Sequence, residues 1–223
     1  DQRSTKVVKN VENYVITIAR GFGSGGKQIG KLLASQLGIP CYESQIPQMA
    51  SECSGISQEK FMQADERLRR PSLLRLIRKA PDIDRAYAPS DRKFVSDDNL
   101  FRIQAWIIRE LAKSKPCIIV GKCANHILRD RANVLSVYVE APRKTCVESI
   151  MQKSGVTAEQ ANKLIVKTDQ YRAEYYKYYT GGDDWTNPTL YDLTVNTGRL
   201  SREDAARLII QAARIKFGED ALY

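Results

Sequence analysis

Two rhythms of apolar residues alternate along this chain. Residues 15–19 (VITIA) are a short β-branched run closed by a glycine cluster, the pattern of a buried strand. In residues 27–37, Ile29, Leu32, Leu33 and Leu37 recur at helical spacing and Gly38 ends the helix. A second short strand is expected at 39–42. From 44 to about 114 the pattern is helical, in MASEC, SQEKFMQADERLRR, SLLRLIRK and NLFRIQAWIIRELAKS, with Pro71, Pro81 and Pro89 cutting it into pieces. Strand character returns at 117–120 (CIIV) and 134–139 (VLSVYV), each run leading into a helical stretch. The second of these helices starts near Pro142 and places Cys146, Val147, Ile150 and Met151 on one side. Residues 158–179 predict a long helix broken at Gly181-Gly182. Residues 193–195 predict a last strand, and 200–217 an amphipathic helix opened by the pair Ser201-x-x-Asp204.

Apolar strands alternating with helices imply a mostly parallel sheet covered on both faces. Five strands are expected, with function at their carboxyl ends. No apolar run reaches the roughly 18–20 residues that span a bilayer. The start, DQRSTKVVKNVEN, is polar and leads straight into a strand, which reads as no signal peptide and predicts a cytoplasmic protein. Five cysteines without a C-x-x-C pair, and a single histidine, His126, argue against a disulfide framework or a zinc site. Reduced thiols partly buried in strands are expected instead.

Charge adds a partner class. The chain carries 35 Lys and Arg against 26 Asp and Glu, a net +9, so an anionic partner is expected. Residues 67–93 hold nine basic and three acidic side chains, two-thirds of the whole excess. A solvated surface accounts for such a run by default; the sharper reading gives one or two of these side chains to an anionic substrate.

The segment Arg20-Gly21-Phe22-Gly23-Ser24-Gly25-Gly26-Lys27-Gln28 lies between the first strand and the first helix. Glycines there let backbone N–H groups face a phosphate at a helix N-terminus. Two motifs fit. Gly21-x-Gly23-x-x-Gly26 is a dinucleotide fingerprint, and Glu43 stands about 20 residues on, where a ribose-binding acid belongs. Gly21-x-x-x-x-Gly26-Lys27 is a P-loop lacking only its final hydroxyl residue. Lys27 favours the P-loop, because an ammonium neutralises charge on a transferred phosphate and a dinucleotide site needs none. A basic helical insertion after the second strand points the same way. Gln28 departs from the pattern: it offers a neutral amide where a hydroxyl ordinarily ligates magnesium. The CIIVGK strand also ends without a carboxylate.

Four segments together, VITIARGFGSGGKQIGKLLASQLGIPCYE, CIIVGKCANHILRD, DQYRAEYYKYY and YDLTVNTGRLS, resemble the bacterial cytidylate kinase-like proteins. These are P-loop phosphotransferases related to nucleoside monophosphate kinases, and the resemblance covers about residues 14–215. It implies a three-layer α/β/α P-loop nucleotide kinase fold with a five-stranded parallel sheet, a helical acceptor-binding insert and a helical lid. The single domain expected over 1–223 divides into a core (14–43, 114–155 and 189–217), an insert (about 44–113) and a lid (about 156–188). It also implies ATP as phosphoryl donor, with Mg2+, and a pyrimidine nucleoside monophosphate such as CMP as acceptor.

Residue by residue, the resemblance makes Gly21, Gly23, Ser24, Gly25, Gly26 and Lys27 the phosphate-binding loop. Val120-Gly121-Lys122-Cys123 stands where cytidylate kinases read Asp-Gly-Arg-Asp. Lys122 thus replaces an arginine that binds the acceptor phosphate, keeping the charge and losing the bidentate fork. Both carboxylates of that segment are missing, which bears on cytosine recognition. Asp169-x-x-Arg172 resembles the lid segment in which an Asp holds the acceptor ribose and an Arg holds phosphate. Val195-Asn196-Thr197 matches the final strand and the turn beside the ATP base.

Five of eleven tyrosines cluster at Tyr171, Tyr175, Tyr176, Tyr178 and Tyr179. Packing explains them by default; the sharper reading puts Tyr175 and Tyr176 in the acceptor pocket beside Arg172. Trp185 is expected to anchor the lid on the core. His126 reads as a solvated or capping residue, since phosphoryl transfer relies on positioning and charge. Lys27 and Arg172 are the expected catalytic residues. Three other classes stay open: a nucleotide-binding regulator that has lost catalysis, an NAD(P)-binding protein, and a nucleic-acid binder without a known signature.

Overall fold

The computed structural model describes residues 13–67 and 84–222. The elements, in chain order, are β1 (Val15–Arg20), α1 (Gly26–Leu37), β2 (Cys41–Tyr42), α2 (Gln45–Ser54), α3 (Gln58–Arg67), α4 (Asp97–Ser114), β3 (Cys117–Val120), α5 (Ala124–Ile127), β4 (Val134–Glu140), α6 (Arg143–Ser154), α7 (Ala158–Thr180), β5 (Leu193–Asn196) and α8 (Arg202–Phe217). Short 3-10 turns occupy Pro188–Leu190 and Glu219–Leu222. The SLLRLIRK helix expected from the sequence, and most of the basic run at 67–93, lie outside the described residues.

Strands stand in the order β2-β3-β1-β4-β5, and every neighbouring pair is parallel. Parallel strands buried on both faces need apolar side chains of both parities, and these have them. On β1, β3 and β4, Val15, Cys117, Ile119, Val134 and Tyr138 face a core built with α2, α3, α4 and α7. Their neighbours Ile16, Ile18, Ile118, Val120, Leu135, Val137 and Val139 face α1 and α8, with Ile29, Leu33, Ile209 and Phe217. The result is a five-stranded parallel sheet between two helical layers. This is the three-layer α/β/α arrangement that the resemblance implied, with α2, α3, α4 and α7 on one face.

Local signals explain the helix ends. Ser201 Oγ accepts from Asp204 N at 3.0 Å and opens α8. Thr157 and Gln160 form a reciprocal capping box at the start of α7. Left-handed glycines Gly38, Gly55, Gly155 and Gly181 close α1, α2, α6 and α7. β2 is shorter than the sequence pattern suggested, because only Cys41 and Tyr42 pair with β3. All five cysteines are free thiols; Cys117, Cys123 and Cys146 are buried and Cys53 is exposed. No helix among the described residues is long and apolar enough to cross a membrane.

Candidate active site

The glycine loop runs from the carboxyl end of β1, at the centre of the sheet, into α1. Gly23 (φ +90°) and Gly25 (φ +89°) hold left-handed conformations, and a Cβ at Gly23 would sit 2.8 Å from the Cys146 carbonyl. The loop is tied down on three sides. Gly21 N donates to Val139 O of β4 at 3.0 Å. Thr197 Oγ1, in the turn after β5, donates to Ser24 O at 2.6 Å. Phe22 N donates to Asp169 Oδ1 of α7 at 2.8 Å. Buried Ser24 donates its hydroxyl to Gly21 O at 2.8 Å, so its side chain shapes the loop from within. Gly25 caps α1, leaving the first-turn amides at 26–28 without intrahelical acceptors. With the helix dipole added, the geometry suits an anion.

Lys27, in that first turn, places Nζ 2.5 Å from Glu43 Oε2. Glu43 follows β2 and also accepts from Arg20 Nη2 at 3.0 Å, so one carboxylate bridges two cations. Burial pushes the Glu43 carboxyl up, but the Lys27 hydrogen bond and the Arg20 and Lys27 charges together outweigh it. Its pKa ends below the usual carboxylate value. The acid that the dinucleotide reading reserved for a ribose is therefore engaged by the loop lysine.

Beside the loop, over the carboxyl ends of β1 and β3, lies a cleft of about 240 Å³. Lys122, Arg172, Tyr175 and Tyr176 line it, together with Arg20, Glu43, Asn125 and Trp185. β3 delivers Lys122 through a sharp corner: Gly121, Lys122 and Cys123 have φ of 79°, 58° and 54°. Two successive non-glycine residues in this region cost about 1–3 kcal/mol each, and such strain gathers at functional sites. From α7, Arg172 Nη1 donates to Arg20 O at 2.8 Å and lies 3.4 Å from Asp169 Oδ1. The Arg172 guanidinium also stacks over the Phe22 ring at 5.6 Å. Burial, then the charge of Arg20, lowers its pKa to about 10. Burial raises the Asp169 carboxyl, against the pull of the Phe22 N–H and Arg172.

The structure thus gathers the loop residues, Lys27, Lys122, Arg172, Tyr175 and Tyr176 at one edge of the sheet. Asp169 is at the same edge, but its carboxylate binds the backbone of the glycine loop. The tyrosines do two things at once. Tyr175 and Tyr179 pack on Phe101, at ring separations of 5.7 and 3.7 Å. Tyr176 accepts from Asn125 Nδ2 at 2.8 Å, and burial raises its pKa. Trp185 is buried edge-on against Tyr138 at 5.7 Å, and its carbonyl accepts from Tyr191 at 2.6 Å. His126 is half-buried, with Arg129 Nη1 2.9 Å from Nε2; burial, then Arg129, lowers its pKa to about 4.

Sequence reasoning missed Arg20 and Glu140. Glu140 ends β4 with its carboxylate against Gly21, accepting from Tyr138 Oη at 2.5 Å and from Ala141 N at 2.9 Å. The only signal for either is a charged residue at the carboxyl end of an apolar strand.

Comparison with known proteins decides the class. A model of the cytidylate kinase-like family matches residues 15–199. The chain belongs to the cytidylate kinase-like family. A cytidylate kinase of Aeropyrum pernix is 28% identical over 193 residues, 86% of this chain and 94% of that protein. One of Methanopyrus kandleri is 26% identical over 210 residues, 90% and 93% of the two chains. These relatives are archaeal, whereas the motifs suggested bacterial members. Among solved structures, an uncharacterized protein from Eubacterium ventriosum superposes with a TM-score of 0.66 at 23% identity, covering 90% of this chain and 98% of that one. A shikimate kinase from Bacteroides thetaiotaomicron gives a TM-score of 0.50 at 12% identity, covering 89% and 96%, which is a likeness of fold. Family and fold together identify a kinase, and the dinucleotide reading of the loop gives way.

Proposed function

We propose that the protein transfers the γ-phosphoryl group of ATP to a small phosphate-bearing acceptor, in first place a pyrimidine nucleoside monophosphate such as CMP. One observation carries this reading: the glycine loop with Lys27 and the cleft with Lys122 and Arg172 open side by side at the same sheet edge, in a chain of this family. The amides of residues 23–27 cradle the donor phosphates. Lys27 and Arg172 stabilise charge on the transferred group, which is the main work a protein does in phosphoryl transfer. Lys122 holds the acceptor phosphate, and Tyr175 and Tyr176 wall the pocket. Asp169 is assigned to the acceptor ribose on resemblance; its bond to Phe22 N gives it the further task of fixing the loop to α7. Docking of the lid (about 156–188) over the core excludes water and suppresses ATP hydrolysis.

Magnesium commonly binds through one or two carboxylates, phosphate oxygens and water. Among the described residues no three His, Cys, Asp or Glu side chains form a metal cluster. Both oxygens of Glu43 are taken by Arg20 and Lys27, so the Gln28 amide is the oxygen donor in the first turn that fits an ion held chiefly by phosphates and water. When bound, the ion would neutralise phosphate charge. The test is a coupled ADP-release screen of every nucleoside monophosphate with magnesium. The highest rate is expected for CMP or UMP; a rate confined to purine acceptors overturns the pyrimidine assignment. Gln28 in place of a hydroxyl, and a β3 that ends without a carboxylate, favour a second reading, a nucleotide-binding regulator. That reading requires ATP binding with no product from any acceptor.

A further inference from the structure

The cleft contains a guanidinium to which the family resemblance gives no role. Arg20 is the last residue of β1, and its side chain is only 19% exposed. Its Nη2 is fixed by Glu43, and its Nη1 lies over Gly121, where any Cβ would collide with it. The Arg20 carbonyl in turn receives Arg172. Two guanidiniums are thus brought together in a part-buried cleft, an arrangement that is unfavourable by itself. Glu43 offsets one of them while sharing its charge with Lys27. Among the described residues lining the cleft, Arg20, Lys122 and Arg172 are cations and Glu43 is a carboxylate, while Asp169, outside the lining, lies beside Arg172. That excess of positive charge in the lining complements a phosphomonoester, which carries about −1.5 to −2 at neutral pH. Lysine at position 122 supplies a point charge, whereas an arginine supplies a planar fork matched to phosphate oxygens.

We propose that Arg20 binds the acceptor's phosphate, its fork oriented by Glu43 and aimed into the cleft beside Lys122 and Arg172. Arg20 thereby provides the bidentate geometry that Lys122 lacks. Because Glu43 also holds Lys27, the same carboxylate ties the acceptor-binding arginine to the donor-binding lysine. This assignment rests on the kinase reading above.

The test separates the two. Wild type, Arg20→Lys and Arg20→Met are titrated first with AMPPNP and magnesium. With the glycine loop saturated by AMPPNP, they are then titrated with inorganic phosphate as the acceptor-site probe. Arg20→Lys keeps the charge next to Glu43, so its melting profile is expected to stay close to that of wild type. Its phosphate affinity should fall about tenfold or more, and that of Arg20→Met further, while AMPPNP affinity stays within about threefold. Unchanged phosphate affinity in Arg20→Lys overturns the proposal, and so does a parallel loss of AMPPNP binding, which marks general disruption. Wild type that binds AMPPNP but no phosphate overturns the role of Arg20 and leaves donor binding standing. Wild type that binds neither overturns the kinase reading and this assignment with it.

Discussion

Replacing Lys27 by alanine should separate stability from activity. The side chain is 49% exposed, and its partner Glu43 keeps a second cation, Arg20, after the change. Ion pairs of such exposure contribute roughly 0.2–1 kcal/mol, and alanine is the best helix former at this first-turn position. The expected loss of stability is therefore below about 1 kcal/mol, which in a chain of this size lowers Tm by no more than about 4 °C. Catalysis is affected on a different scale. Removing one preorganised group aimed at developing charge commonly costs about 10²–10³ in kcat, equivalent to about 2.7–4 kcal/mol. Differential scanning fluorimetry and an ADP-release assay on one preparation compare the two effects. A folded Lys27→Ala protein that turns over at the wild-type rate would refute the role given to Lys27. A variant that fails to fold would refute the half-exposed, replaceable ion pair on which the separation depends.

Three other outcomes are expected. Phe101→Ala removes a ring that is 2% exposed and stacked on Tyr179, and should cost about 3–5 kcal/mol in urea unfolding. Gly23→Ala forces a side chain onto φ +90° and against the Cys146 carbonyl; a destabilisation of about 1–3 kcal/mol with loss of ATP binding by calorimetry is expected. His126 titrates at about 4 in the folded protein against 6.5 in the unfolded chain, so the unfolded state takes up the proton first. Stability is then full above about 6.5 and declines as pH falls towards 4. Because this is the chain's single histidine, His126→Gln should flatten the decline between pH 6.5 and 5. Asp169, whose pKa is raised, acts with the opposite sign and cannot mimic it. An unchanged slope in His126→Gln would show that the ring is solvated in the fold.

What the sequence made legible was local. The runs at β1, β3 and β4, the glycine loop and the Ser201–Asp204 cap each carry their signal within a few residues, and each stands where the pattern put it. The bridging of Lys27 and Arg20 by Glu43 was not legible, because it depends on β2 lying at one edge with β3 between it and β1. A charged residue 23 positions from Arg20 becomes its partner only through that strand order. Glu140 is hidden for the same reason, since β4 must pair with β1 before its end can reach Gly21. The tyrosines of α7 show the limit of periodicity from the other side. Packing and the acceptor pocket stood as alternative readings of the cluster, whereas Tyr175 and Tyr176 serve the core and the cleft together. The same topology refines the meaning of the basic excess: Lys27, Lys122 and Arg172, remote in sequence, converge on one sheet edge.

The central claim is that this edge moves a phosphoryl group between two nucleotides. Its most direct test is to incubate the full chain with ATP, magnesium and CMP or UMP and to follow both products by mass spectrometry. ADP and the pyrimidine nucleoside diphosphate are expected in equal amounts, with little ADP when the acceptor is left out. ATP bound by the protein, with no nucleoside diphosphate formed from any monophosphate acceptor, would contradict it.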